Sequence, residues 1–223
     1  MTANEVILEL EGLATDMMKK RYIRQGAKEP LFGVATGAMK PLFKKIKINH
    51  ALAEELYATG NYDVMYFAGM IADPSAMTIA DFNRWMQSAY FHMISDFVVA
   101  VTLSESHCAM ETADSWLDSE NELCRSAAWC TYQWLLGWRP NDFFQKDKIA
   151  ALLYKGLDVL DGETKHVKSS IDGFVSAVGI SFTPLHEEAA KAAQTHNLPY
   201  AAKAIERIVS QGKVGFKRKA VRC

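Results

Sequence analysis

The sequence has little of what disorder, membranes or disulfide scaffolds require. Its 223 residues include only six prolines and no low-complexity tract, which argues against a disordered region of any length. No apolar run reaches the ~18–20 residues that a membrane helix needs, so no membrane partner is expected. The first residues, MTANEVILELEGL, alternate acidic and apolar side chains. A secretory signal would instead run from basic to apolar, and a cytoplasmic location is expected. Cys108, Cys124, Cys130 and Cys223 show no CxxC spacing, and three of them lie in apolar helical stretches. They read as small buried hydrophobes in a reducing compartment. A zinc site built on His107 and Cys108 is disfavoured, because neighbouring residues on a helix point in different directions. No metal and no cofactor are expected. Strand signals are nearly absent as well.

What the chain has in quantity is apolar surface and segregated charge. Hydrophobic residues make up 49% of the chain, enough for a sizeable core in one large domain or two small ones. The net charge of −1 conceals three blocks. Residues 1–48 carry nine Lys/Arg against five Asp/Glu, residues 49–202 nine against twenty, and residues 203–223 seven against one. The blocks are thus +4, −11 and +6. Such blocks keep faces solvated, and basic ends also suit a polyanion.

Helix signals recur along the whole length. Thr2-Ala3-Asn4-Glu5 forms a capping box, and Val6, Leu10, Leu13 and Met17 follow on one helical face. A loop runs from Gly26 to Gly33. Thr36 is expected to cap a short helix that tolerates Pro41 in its first turn. From Asn49 onward, helix pairs recur every 25–40 residues or so. Asn49 and Asn61 open the helices of one pair, and Thr78 opens the next. Residues 106–117 and 120–137 form a third, 141–160 and 163–179 a fourth, and Pro184 to His196 with Pro199 to Ser210 the last. This period predicts an all-α fold, an α-α superhelix or solenoid of about five to six HEAT-like helix pairs forming one domain over residues 1–223. A compact helical bundle is the structural alternative. The tail from Lys213 to Cys223 places five basic residues among eleven, with one aromatic, and reads as an extended basic arm at about 212–223.

Several stretches together resemble the DNA alkylation repair family of HEAT-like proteins, whose founding activity is an alkylpurine DNA glycosylase. They are Phe32-Gly33-Val34-Ala35-Thr36-Gly37-Ala38-Met39, Ile46 to Ala53, Leu56-Tyr57-Ala58-Thr59-Gly60-Asn61-Tyr62-Asp63, Ala72-Asp73-Pro74, and Gly212 to Lys219 in the tail. The resemblance covers the chain from about residue 30 to its end. It implies a basic groove for duplex DNA and a site of two tryptophans and one aspartate beside the deoxyribose of the lesion. Losing a cationic base leaves an oxocarbenium-like sugar, which aromatic faces and a carboxylate stabilise.

Residue by residue, the chain departs from that pattern. Phe91-His92-Met93-Ile94-Ser95-Asp96 stands where the first tryptophan and the aspartate belong. Phe91 replaces the indole, Ser95 takes the carboxylate position, and Asp96 lies one residue later. One residue along a helix is a rotation of about 100°, so Asp96 recovers the role only if the backbone shifts. The second tryptophan corresponds to Gly173. A groove arginine is kept as Arg125, which reads equally as a surface ion-pair partner.

Phe91 and Asp96 are therefore the candidate catalytic residues. The candidate DNA contacts are His92, Ser95, Arg125, Lys44, Lys45, Lys47, Lys165, Lys168, Lys213, Lys217, Arg218, Lys219 and Arg222. The lysines read equally as solvated helix faces. Trp116, Trp129, Trp134 and Trp138 are expected in the core, with Trp85 an outside candidate for the groove. The first functional expectation is a monomeric protein that binds duplex, damaged or branched DNA with little or no glycosylase activity. The alternatives are an active glycosylase for cationic N3- or N7-alkylated purines and a scaffold that binds protein.

Overall fold

A computed structural model of the chain describes residues 1–222; Cys223, the last residue of the expected arm, lies outside them. The described residues hold helices and no strand. They form two compact units, residues 1–108 and 109–222. No helix among them is long and apolar enough to cross a membrane.

The first unit opens with α1 (Ala3–Gly12), closed at its start by the expected box, Glu5 N–H donating to Thr2 Oγ1 and Thr2 N–H to Glu5 Oε2. Val6 and Leu10 are fully buried. The apolar face does not continue as expected, since Leu13 is 38% and Met17 72% exposed. The reason is local. Thr15 accepts from Met18 N–H and starts a separate helix, α2 (Asp16–Arg24). A second correction concerns Thr36, which lies inside a 3-10 turn (Thr36–Met39) leading into α3 (Lys40–Ile46).

Next come α4 (His50–Tyr57) and α5 (Tyr62–Ile71), capped by Asn49 and Asn61 as the sequence predicts, with Gly60 in the left-handed region at the turn between them (φ 69°). α6 (Ile79–Ser88) starts with a box in which Thr78 and Asp81 bond reciprocally. Backbone and hydroxyl hydrogen bonds from Thr78, with Arg84 beside it, hold the Asp81 carboxyl at about 2. The unit closes with α7 (His92–Ile94), a π turn (Ser95–Val99) and α8 (Ala100–Ser104).

The second unit consists of three further pairs: α9 (Ala109–Trp116) with α10 (Glu122–Trp138), α11 (Lys146–Val159) with α12 (Lys165–Ser181), and α13 (His186–Thr195) with α14 (Pro199–Ser210). The second helices of these pairs form one layer, α12 packing against both α10 and α14. Trp129, Tyr132 and Phe174 sit between α10 and α12, with ring centroids 5.2 Å apart for Trp129–Phe174 and 6.3 Å for Tyr132–Phe174. Such layering buries in each pair the apolar stripe that one pair cannot cover alone.

Candidate nucleic-acid interface

In the first unit, Phe91 lies just before α7, 4% exposed, with its ring edge-on to Tyr62 at 5.7 Å. Asp96 is 2% exposed and accepts from Ser95 Oγ at 2.8 Å; Ser95 itself is fully buried. A π turn begins at Ser95, where the carboxylate is displaced. Ala100 N–H bonds to Ser95 O, five residues back. A π turn inserts one residue into a helix and re-aims the side chains that follow. Within this turn Asp96 is buried and Phe97 is 42% exposed. As folded, neither Phe91 nor Asp96 presents a face to a sugar, because both are packed into the core of the unit. His92 lies with its ring edge against Phe91 at 4.3 Å. Trp85, the outside candidate, is also a core residue. It stacks on Tyr57 at 3.9 Å and donates its indole N–H to Glu54.

The lysines at the end of α3 remain outward. Lys44, Lys45 and Lys47 are exposed, and Lys45 pairs with Glu9 at 2.9 Å. Lys47 takes a left-handed backbone (φ 61°) as the helix ends.

In the second unit, Arg125 does not stand free for phosphate. Its Nε and terminal nitrogen donate to the two oxygens of Glu163 at 2.8 and 2.9 Å. The other terminal nitrogen donates to the carbonyls of Ser119 and Glu120. The Glu163 hydrogen bonds, together with its negative charge, raise the Arg125 pKa above its ordinary value. The Gly173 position carries no side chain, and the Gln133 carboxamide reaches the space beside it: a Cβ at 173 would lie 2.5 Å from Gln133 Oε1. Lys165 is exposed; Lys168 is half-buried and donates to the Asp161 carbonyl. A serine–histidine contact, Ser126 Oγ to His166 Nε2 at 2.8 Å, links α10 to α12, but Ser126 is fully buried. It ties two helices together and is closed to a substrate.

The tail is a strap, not an extended arm. Gly212 and Gly215 take positive φ (63° and 86°) and turn the chain back onto the unit. Gly215 N–H donates to Ile180 O and Arg218 N–H to Gly137 O, each at 2.7 Å. Lys217 Nζ donates to the Leu136 carbonyl near the end of α10, satisfying an acceptor of the kind that helix C-termini leave open. Burial lowers the Lys217 pKa to about 8. The Arg218 guanidinium lies 4.8 Å from the centre of the Trp134 ring. Lys213 and Lys219 are exposed and Arg222 is half-buried. Composition marks the tail as basic, but its anchoring carbonyls lie in distant helices. The nearest local sign is its two glycines.

The profile of the DNA alkylation repair enzyme family matches residues 6–156. Among curated relatives, the uncharacterized protein Lin0241 of Listeria innocua is 27% identical over 201 residues, covering 87% of this chain and 86% of that one. The uncharacterized protein Lmo0209 of Listeria monocytogenes is 26% identical over the same length, with the same coverage. Among solved structures, one is 48% identical with a TM-score of 0.94 and full coverage of both chains. It is described as belonging to "a new family of proteins related to the HEAT-like repeat DNA glycosylases with affinity for branched DNA structures".

Proposed function

We propose that this chain, which belongs to the DNA alkylation repair enzyme family, binds branched DNA through charge and shape and does not release alkylated bases. The observation that carries this reading is the burial of Asp96, which is 2% exposed. A glycosylase of this type needs a carboxylate and an aromatic face at the developing sugar cation. Asp96 and Phe91 are instead inside the first unit, Gly173 offers no side chain, and Arg125 is held by Glu163. Phosphate contacts remain available from exposed Lys44, Lys47, Lys165, Lys213 and Lys219. The 48% identical structure, with its affinity for branched DNA, supports the same ligand class.

The test combines two assays on the full chain. Binding to a three-way junction and to a linear duplex of equal length is followed by fluorescence anisotropy at two salt concentrations. Base release is followed on a duplex containing N7-methylguanine. Tighter binding of the junction, weakened steeply by salt, is expected, with base release at the spontaneous rate. Release above that rate, abolished by Asp96→Asn, would establish the glycosylase reading instead. Binding insensitive to salt would favour a protein-binding scaffold.

Deleting the tail is a poor probe of its charges, because deletion also uncovers the end of α10. Lys213 and Lys219 are the cleaner choice, being exposed at the two ends of the strap. Each phosphate contact adds roughly 0.9 to the slope of log affinity against log salt. Replacing both lysines with alanine is therefore expected to flatten that slope by about 2. An unchanged slope would remove the strap from the interface.

A further inference from the structure

The strap encloses a cleft of about 210 Å³ over the layer formed by α10, α12 and α14. Its walls include Gly137, Gly173, Tyr200, Arg207, Phe216 and Arg218, and no Asp or Glu lines it. Tyr200 and Phe216 are 59% and 54% exposed, large aromatic surfaces left in water. Phe216 is not loosely placed. It sits between Gly215, bonded to Ile180 O, and the pair Lys217 and Arg218, bonded to Leu136 O and Gly137 O. Arg218 is also oriented by the Trp134 ring. Among the described residues, neither Arg207 nor Arg218 forms an ion pair with a carboxylate.

From these observations, and resting on the branched-DNA reading above, we infer that the cleft receives a single unpaired nucleotide at a DNA branch point. The base stacks on Tyr200 or Phe216, and its phosphate meets Arg207 and Arg218. Size selects one base. Pockets for drug-sized ligands hold about 300–1,000 Å³, and this cleft is smaller. The floor holds Gly137 and the Gln133 carboxamide, which occupies the space beside Gly173, a polar surface against which a flat ring can lie. Stacking requires no particular base edge, so recognition would be tolerant of sequence.

The test uses three-way junctions that differ only at the branch, one fully paired and one with a single unpaired 2-aminopurine. Binding of the full chain is expected to quench the 2-aminopurine and to favour the unpaired junction. At least one of Tyr200→Ala and Phe216→Ala, the one that removes the stacking ring, should lose the quench and the preference. The affinity of that variant for the unpaired junction should drop about five- to a hundredfold, the range for one base on one aromatic face. Both side chains are more than half exposed, and thermal melting checks that the variants fold. Arg207→Gln should reduce the salt slope by about 1. If the wild type binds the unpaired junction without quenching, or if both alanine variants keep the quench, the cleft is not the site, while the branched-DNA reading stands. If the wild type binds neither junction above linear duplex, both proposals fall together.

Discussion

Replacing Asp63 with alanine is expected to destabilise the first unit by about 3–5 kcal/mol. Asp63 is fully buried, and its two carboxylate oxygens accept three backbone N–H groups: Phe32 at 2.6 Å, Gly33 at 2.9 Å and Val34 at 2.8 Å. Hydrogen bonds to a charged acceptor contribute about 1.5–3 kcal/mol each, and a buried donor stranded without a partner costs about 1–3. Alanine strands three donors together, partly offset by the solvation that the carboxylate regains on unfolding. The melting temperature should fall by roughly 10–20 °C. Asp63→Asn should lose most of the stability too, because the carboxamide offers one acceptor oxygen and turns an NH2 group towards the same donors. Gly33→Ala should damage the same joint from the other side. Its φ is +95°, and a Cβ would lie 2.5 Å from the Lys19 backbone nitrogen. The two defects release one loop, so the double variant should cost less than the sum. A melting temperature within 2 °C or so of wild type for Asp63→Ala would show that the loop is held by something else.

That joint also explains what in the sequence was legible. Phe32-Gly33-Val34 and Asn61-Tyr62-Asp63 carry the family resemblance, and the fold shows the two stretches bonded to each other. The resemblance reported a structural joint and not a catalytic one. Caps were readable because their partners lie within three residues: Thr2 with Glu5, Thr78 with Asp81, and Asn49 with Leu52. The helix break at Leu13 escapes the periodic pattern although Thr15 marks it, since apolar residues at helical spacing run straight through. The π turn at Ser95–Val99 left no mark in an apolar stretch that suits either helix. Periodicity placed Trp116 and Trp129 in the core correctly, at 5% and 1% exposure. Trp134 and Trp138 are half-exposed, each with a guanidinium over its ring: Arg218 and Arg139. Those partners depend on where the strap and the turn after α10 fold, which no local pattern specifies.

Arg125→Ala is expected to cost about 2–4 kcal/mol of stability in the second unit while leaving the affinity for a three-way junction within about twofold. The guanidinium and Glu163 are 19% and 11% exposed, so solvent screens the pair only weakly. Removing the arginine leaves Glu163 short of its bidentate partner and frees the Ser119 and Glu120 carbonyls at the turn into α10. Arg125→Lys should recover little, because an ammonium cannot reproduce the two parallel bonds. Glu163→Ala should be damaging as well. A double-mutant cycle should then return a coupling of about 1–3 kcal/mol between the two positions. A phosphate-binding arginine predicts the reverse pattern: unchanged melting, weaker junction binding, and a salt slope lower by about 1. Glu163→Gln separates the two roles further. It neutralises the carboxylate and releases much of its hold on the guanidinium, so a side chain that faces DNA would then bind more tightly than in the wild type. Unchanged affinity in that variant, together with a lowered melting temperature, would assign Arg125 to the turn that closes α10 against the loop before α12.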